Sequence, residues 1–569
     1  MKKARLIDAI RLPSLILALF FVLSHNSWAQ VPWIKYSYFA NYGGLNDNLS
    51  QLEIADNEAT AIQNVVFDTG GALIKRYGYK NIIDSPNSTY KLGANVTGVP
   101  GIAFYQKTNG NKYIFAIGNN GGQAQGYSKT IDNSGDVPTG AWDDQGTGNL
   151  PANFNNNQLA TFSVAENTLV MTVAGSSINT TYPSAWQATG NVYLFTTDPD
   201  CPKAKYNAYH KNILFLAGDP DNPSRVSFSD LNGGITNWIA TDFFDLDKDN
   251  GQFVTGLVSA FGNLYIFENN SIWMLSGSNR DDFSLQKMVD NVGTLSQQSI
   301  AIVNNAIFFV TSQNDIAVYD GAFTVKFVSS KIRNTIGSNN FDRAAQTLGI
   351  GYSSYRYKDL DYYAAESVVG SSENNQVLLF DTYRSAWTIL DNIRPNSWMV
   401  MPNASGANQL VWGDYNGLVY AYPDQGSYSD VSNTCSGAGP CTTTSPGIYS
   451  FYQTKWFRYP EAALGDKYLR LLKTYVINSS TNSSTLQIEV KSDYASSGNI
   501  YTFNYTPSGA LWEVSLWNDA VWGGGGLNID REEVGLGTQM FQIRYSNRTA
   551  DQDMSILGFE TFIEPTTRI

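Results

Sequence analysis

Histidine is nearly missing from this chain: His25 and His210 are the only two in 569 residues. A His-centred triad or a multi-histidine metal centre therefore has almost no material. Cysteine is also scarce, and Cys201, Cys435 and Cys441 form no CxxC pair. Cys435 and Cys441 bracket the sequence SGAGP, a short loop open to two readings, a disulfide in an oxidising compartment or two free thiols. Charge is low as well, with 15% of residues charged against about 25% in an average soluble protein. The net charge of -13 argues against wrapping of nucleic acid by a basic surface, although an acidic surface does not exclude nucleic acid passing nearby. Walker loops and Ser nucleophile elbows are absent. Past residue 23 no apolar run approaches the roughly 20 residues of a membrane-spanning helix, so the mature chain is expected to have no membrane span.

What is abundant is Gly (49), Tyr (34) and Phe (29), a mixture that suits many short strands joined by glycine-tolerant turns. The first 29 residues read as a secretory leader, or else as an N-terminal extension. Lys2, Lys3 and Arg5 precede an apolar run over 12–23, and Ser27-Trp28-Ala29 offers a small-x-small cleavage site.

Between about 98 and 425 one pattern recurs every roughly 40–50 residues: an alternating apolar stretch, a tight Asn/Gly turn, and a second apolar stretch. Examples are 102–104 with 113–117, 213–217 after 206–209, 264–268 after 255–260, and 410–412 with 418–422. Turns such as Phe261-Gly262-Asn263 and Asn304-Asn305 fit β-hairpins. The expected fold is all-β: a propeller of six or seven blades over 80–425, preceded by an entry segment at 30–79. A Ser/Gly/Thr-rich linker at 426–447 then leads to a small β-sandwich or jelly roll at 448–569. Within that last unit, 515–529, with Trp517, Trp522 and Gly523 to Gly526, reads as a loop suited to contacting a neighbouring subunit.

Candidate chemistry is thin. Asp245, Asp247 and Asp249 stand at positions one, three and five of a calcium-loop-like string, but the glycine falls one place late and position twelve is Gly256 rather than Glu. An acidic loop between blades is the competing reading. Asp219-Pro-Asp-Asn-Pro223 reads as a structural turn. A glycoside hydrolase on this fold needs paired carboxylates in the central cavity, and no motif singles out such a pair. The chain is accordingly expected to be no enzyme and to hold no cofactor. Aromatic faces offer the separate expectation of sugar stacking.

Residues 42–79 read YGGLNDNLSQLEIADNEATAIQNVVFDTGGALIKRYGY. This resembles the opening of the tail nozzle or tail tubular B-like proteins of short-tailed bacteriophages, with their packaged-DNA stabilisation and hub relatives. The elements that carry the likeness are Gly43, Gly44, Leu45 and Asn46, then Glu58, Ala59, Asn64 and Val65, then Gly71, Leu73, Lys75, Arg76, Gly78 and Tyr79. Gly43 and Gly44 are expected to hold special backbone conformations. Residues 249–275 and 292–321 resemble two of the family's blades, which gives the aspartate string an ordinary place in a blade loop. The resemblance implies a structural virion subunit, commonly six copies around the tail axis, contacting the adaptor and fibres, with genomic DNA passing through without specific binding. The alternative is an exported propeller, periplasmic or secreted, that binds surface glycans or proteins.

Overall fold

The computed structural model describes residues 33–565 apart from 40, 84–90, 133–136, 138–139, 149, 174–181, 248–249, 339–345, 354–358, 404–405, 435–441, 459–466, 478–482 and 506–526. The fold is all-β, a seven-bladed propeller followed by a β-sandwich. Seven four-stranded antiparallel sheets form the blades. Blade 1 opens on Gly101–Gln106, blade 2 on Ala160–Ala165, blade 3 on Tyr206–His210 and blade 4 on Val254–Ala260. Blades 5, 6 and 7 open on Ala301–Val303, Leu348–Tyr352 and Ser397–Pro402. The alternation and turn chemistry of the sequence account for the hairpins. Both Asn304 and Asn305 sit at positive φ (47° and 63°), as do Phe261 and Gly262 (51° and 76°), the conformation that two-residue turns between twisted strands require.

These opening strands are the innermost ones, and they meet round the axis. Pro100 accepts from the Ala160 amide at 3.1 Å. The Asn207 amide donates to the Thr161 carbonyl at 2.9 Å, and His210 Nδ1 lies 2.7 Å from Ser259 Oγ. Ser397 donates to the Val99 carbonyl and so links blade 7 back to blade 1. Between blades 4 and 5 the short 3-10 turn Gln297–Ser299 takes over this role. Gln297 brackets both backbone groups of Leu257, and Gln298 donates to the Ala160 carbonyl of blade 2, across the ring. Glycine is required where the turn passes: a Cβ on Gly349 would fall 2.1 Å from the Ser299 carbonyl oxygen.

The last blade is closed by the N-terminal part of the chain. Its strands Ser397–Pro402, Asn408–Gly413 and Val419–Asp424 are completed on the outside by Gly78–Asn81. The preceding strands pair elsewhere. Ile34–Phe39, Val65–Phe67 and Leu73–Lys75 join Lys467–Ile477, Leu527–Thr538 and Ser555–Pro565 in one sheet of the sandwich. Gly44–Leu45 and Glu58–Gln63 join Ser450–Thr454, Phe457–Arg458, Ser484–Ser492, Asn499–Tyr505 and Met540–Asn547 in the other. The residues 30–79 read as a separate entry segment are thus shared between sandwich and propeller. Of the loop read at 515–529, Leu527 to Ile529 lie in a strand, and the rest falls outside the described residues.

Separate apolar cores fill the gaps between successive blades, for example Tyr105, Phe115, Met171 and Trp186 between blades 1 and 2. The sandwich interior is continuous with blades 5 and 6 through Trp387, Phe380, Ile332 and Tyr452. No helix of the described residues is long and apolar enough to cross a membrane.

The axial turn makes a testable demand. Gly349→Val is expected to cost several kcal/mol, about 2–4 as for other overpacked core sites. Gly337→Ala is expected to be neutral or stabilising by up to about 1 kcal/mol, because Gly337 is an exposed position of a short helix with open space around it. Urea unfolding of the two variants provides the comparison.

Candidate functional site

Most of the residues singled out at 42–79 converge on the junction between propeller and sandwich, where Arg76 is the centre. Its side chain is completely buried. The guanidinium takes Asp430 in a two-pronged grip, 2.8 Å to Oδ1 and 2.6 Å to Oδ2. Its remaining donors reach Asn64 Oδ1 at 2.8 Å and the carbonyls of Tyr77 and Asp391 at 3.0 and 2.9 Å. All five guanidinium N–H groups are accounted for, which is the condition for a buried cation. Burial works against the charge, but the Asp430 carboxylate outweighs it and raises the Arg76 pKa further.

Asn64 distributes the junction among three elements. It sits at φ 53°, donates to the Tyr449 carbonyl at 2.9 Å, and through Oδ1 accepts from both Arg76 and the Asp391 amide. Asn392 adds a bond to Asp430 at 2.9 Å. Blade 6, the Ser/Gly/Thr-rich stretch and the sandwich are thereby tied to one guanidinium. Asp430, read as part of a linker, is buried at 2% exposure.

Neighbouring motif residues reinforce the joint. Lys75 is buried, donating to Asn547 Oδ1 at 2.8 Å and the Thr549 carbonyl at 3.0 Å. Burial, with the Arg76 charge beside it, lowers its pKa to about 7. Tyr79 donates to the Asn392 carbonyl and packs its ring against Trp412 and Tyr420. Glu58 accepts from Asn46 at 2.7 Å and from the Ala55 amide, and pairs at 3.0 Å with Lys331, in the 3-10 turn Ser329–Ile332 that follows blade 5. Burial raises the Glu58 carboxyl, but these bonds outweigh it and hold it below its ordinary value. Leu45 is buried in the shared core.

The glycines divide. Gly44 has φ +77°, and a Cβ there would lie 2.5 Å from the Trp387 carbonyl oxygen. A Cβ on Gly78 would fall 1.8 Å from the Ser429 oxygen. Gly71 turns the hairpin between Val65–Phe67 and Leu73–Lys75 at φ 88°. Gly43 is different from the expectation: its φ is not positive, and a Cβ would meet only the side chain of Asn57.

The other sequence candidates do not join this cluster. Asp245 holds Arg225 through two bonds of 2.7 and 2.9 Å, and Asp247 bonds Lys287 of the next blade. Asp249 lies outside the described residues, as do Cys435 and Cys441 and the leader at 1–29. Among the described residues no group of three or more His, Cys, Asp or Glu is placed to hold a metal. Cys201 is buried, and burial with the nearby Asp198 pushes its thiol up to about 12.

No protein-family model matches the chain, and no curated protein matches it. Solved structures similar to it include an exo-β-1,3-galactanase from Phanerochaete chrysosporium, at 9% identity, TM-score 0.25, covering 88% of this chain and 100% of that one. A fructofuranosidase from Schwanniomyces occidentalis is similar at 8% identity, TM-score 0.26, covering 86% and 98%. The expectation that the chain is no enzyme is corrected here: structures similar to it are glycoside hydrolases, and the exclusion of catalysis is withdrawn. At these TM-scores the likeness assigns it no substrate. The seven innermost strands carry no Asp or Glu, so a carboxylate pair facing the axis would have to be drawn from loops.

Two outcomes follow from the junction. Asp430→Asn or Arg76→Met leaves a buried charge without its partner and is expected to cost about 3–5 kcal/mol, measured by denaturant unfolding. For Lys75 the folded chain binds fewer protons than the unfolded chain between pH about 7 and 10.5. Its contribution is therefore least favourable below about 7 and improves as pH rises through that window. Lys75→Met is expected to flatten the slope of stability against pH there.

Proposed function

We propose that this chain is a structural subunit of the tail of a short-tailed bacteriophage, a nozzle or tube protein that assembles as a ring through which genomic DNA is retained and released. The observation that carries the reading is the place of the resembling residues. Arg76, Asn64, Lys75, Glu58, Asn46, Gly44 and Gly78 are spent on welding propeller to sandwich. A motif of that kind marks a shared two-part architecture rather than a shared chemistry. A rigid two-part subunit suits a heterologous ring, since closure requires every copy to hold one fixed angle between its contact faces. The acidic balance of the chain favours a lumen that does not grip DNA.

A second reading, an exported propeller that binds surface glycans or proteins, draws on the aromatic-walled cavity of the sandwich described below. Purified particles separate the two. The ring reading expects the chain in virions in fixed stoichiometry, commonly six copies, by quantitative mass spectrometry and electron microscopy. Free monomer in the periplasm, cleaved after Ala29 and absent from particles, would overturn it in favour of the second.

A further inference from the structure

The sandwich carries a cavity of about 270 Å³ at its open end, between the strand Ile34–Phe39, the turn before Glu58, and the segment around Phe457. Its walls are largely apolar and aromatic, and Lys35, Asp56, Lys455 and Arg458 are the charged residues on the lining. Tyr36 packs on Phe457 at 5.3 Å, and Phe457 stacks on Phe541 at 5.3 Å, while Leu52 and Ile563 complete the enclosure. On this lining sits one polar cluster. Asp56 accepts from the Tyr36 hydroxyl at 2.7 Å through Oδ2 and from Lys455 Nζ at 2.9 Å through Oδ1.

The cluster is built from three separate segments, and its members differ in exposure. Lys455 is held down at 13% side-chain exposure, whereas Asp56 is 54% exposed. Burial raises the Asp56 carboxyl, but the bonds from Tyr36 and Lys455 outweigh it and keep it below its ordinary value, so it is ionised at neutral pH. Each carboxylate oxygen uses one acceptor site on the protein and keeps another for a ligand. An acceptor and a donor stand side by side against aromatic faces.

From this geometry we infer that the cavity is a subsite for a single neutral pyranose ring, such as a hexose at the end of a surface glycan. Adjacent hydroxyls of a pyranose donate to one group and accept from the next, which is what Asp56 and Lys455 offer together. The apolar C–H face of the ring lies on the half-buried Tyr36, which the buried Phe457 backs from behind. The volume falls below the range of about 300–1,000 Å³ typical of larger ligands and suits one ring. A neutral ligand is favoured over an anionic one because an added carboxylate would face the Asp56 charge. Of the three cations on the lining, Lys455 holds Asp56 and Lys35 pairs with Glu560, while Arg458 is exposed to solvent. The inference is independent of the ring reading, since hexose binding and assembly are read out separately.

Saturation-transfer NMR on the full chain tests it, with galactose, glucose and N-acetylglucosamine as neutral probes and glucuronate as the anionic one. A neutral hexose at about 10 mM is expected to receive saturation, as suits millimolar single-ring affinity. Asp56→Asn is expected to weaken that binding at least about tenfold, the loss of one charge-assisted hydrogen bond. Leu52→Trp, which fills the cavity without touching the polar cluster, is expected to abolish it. Unchanged thermal unfolding of either variant shows that the loss is local. No transfer to any neutral probe, binding of glucuronate alone, or hexose binding untouched by both variants would overturn the proposal.

Discussion

One guanidinium holds the two halves of this molecule in register. Arg76 is buried without exposure, and a buried cation is tolerable only when every donor is matched and a counter-charge lies beside it. Asp430 supplies the charge; Asn64, Tyr77 and Asp391 supply the remaining acceptors. Because Asn64, Asp391 and Asp430 come from three separate stretches of chain, the ion pair is satisfied only when blade 6, the closing strand of blade 7 and the sandwich have all reached their places. Such a pair adds little net stability compared with an apolar packing of the same volume, but it penalises any arrangement in which one partner is displaced. It acts as a check on geometry.

The closing of the propeller depends on the same few residues. Immediately after Arg76, Gly78–Asn81 becomes the outer strand of blade 7. A closed ring has no free first or last blade, and drawing one strand from the N-terminal region ties the ends of the sheet array together. Here the tie continues into the sandwich, whose sheets take the five strands before it. The tight approach of Gly44 to Trp387 and of Gly78 to Ser429 leaves no space for a side chain, so the two parts meet backbone to backbone. Contacts this close resist movement of one part against the other.

Much of the propeller was legible because hairpins are local. Alternation across a few residues and a turn such as Asn304-Asn305 specify the pairing without reference to distant chain. The joint was legible only as a string of glycines, charges and an asparagine that resembled a family's opening segment and whose purpose lay elsewhere. Arg76 and Asp430 are 354 positions apart, and Asp430 stands in a Ser/Gly/Thr-rich stretch whose composition reads as a linker. Composition reports the backbone's freedom before folding, not the partner that later removes it. Gly43 and Gly44 show the same limit: two identical neighbours, of which only one sits at positive φ against a wall. The cavity was hidden for the reason that hid the junction, since Tyr36, Asp56 and Lys455 are brought together by sheet pairing between the two ends of the chain.

The central claim is that junction and closure make propeller and sandwich one cooperative body. Native-state hydrogen exchange measures this directly, at the amides of Asn64, Arg76 and Asp391 together with core amides of each part. The account predicts that the three junction amides exchange only with global unfolding, and that propeller and sandwich cores share one opening free energy. Early exchange at the junction, with the two cores opening at separate free energies, would contradict it.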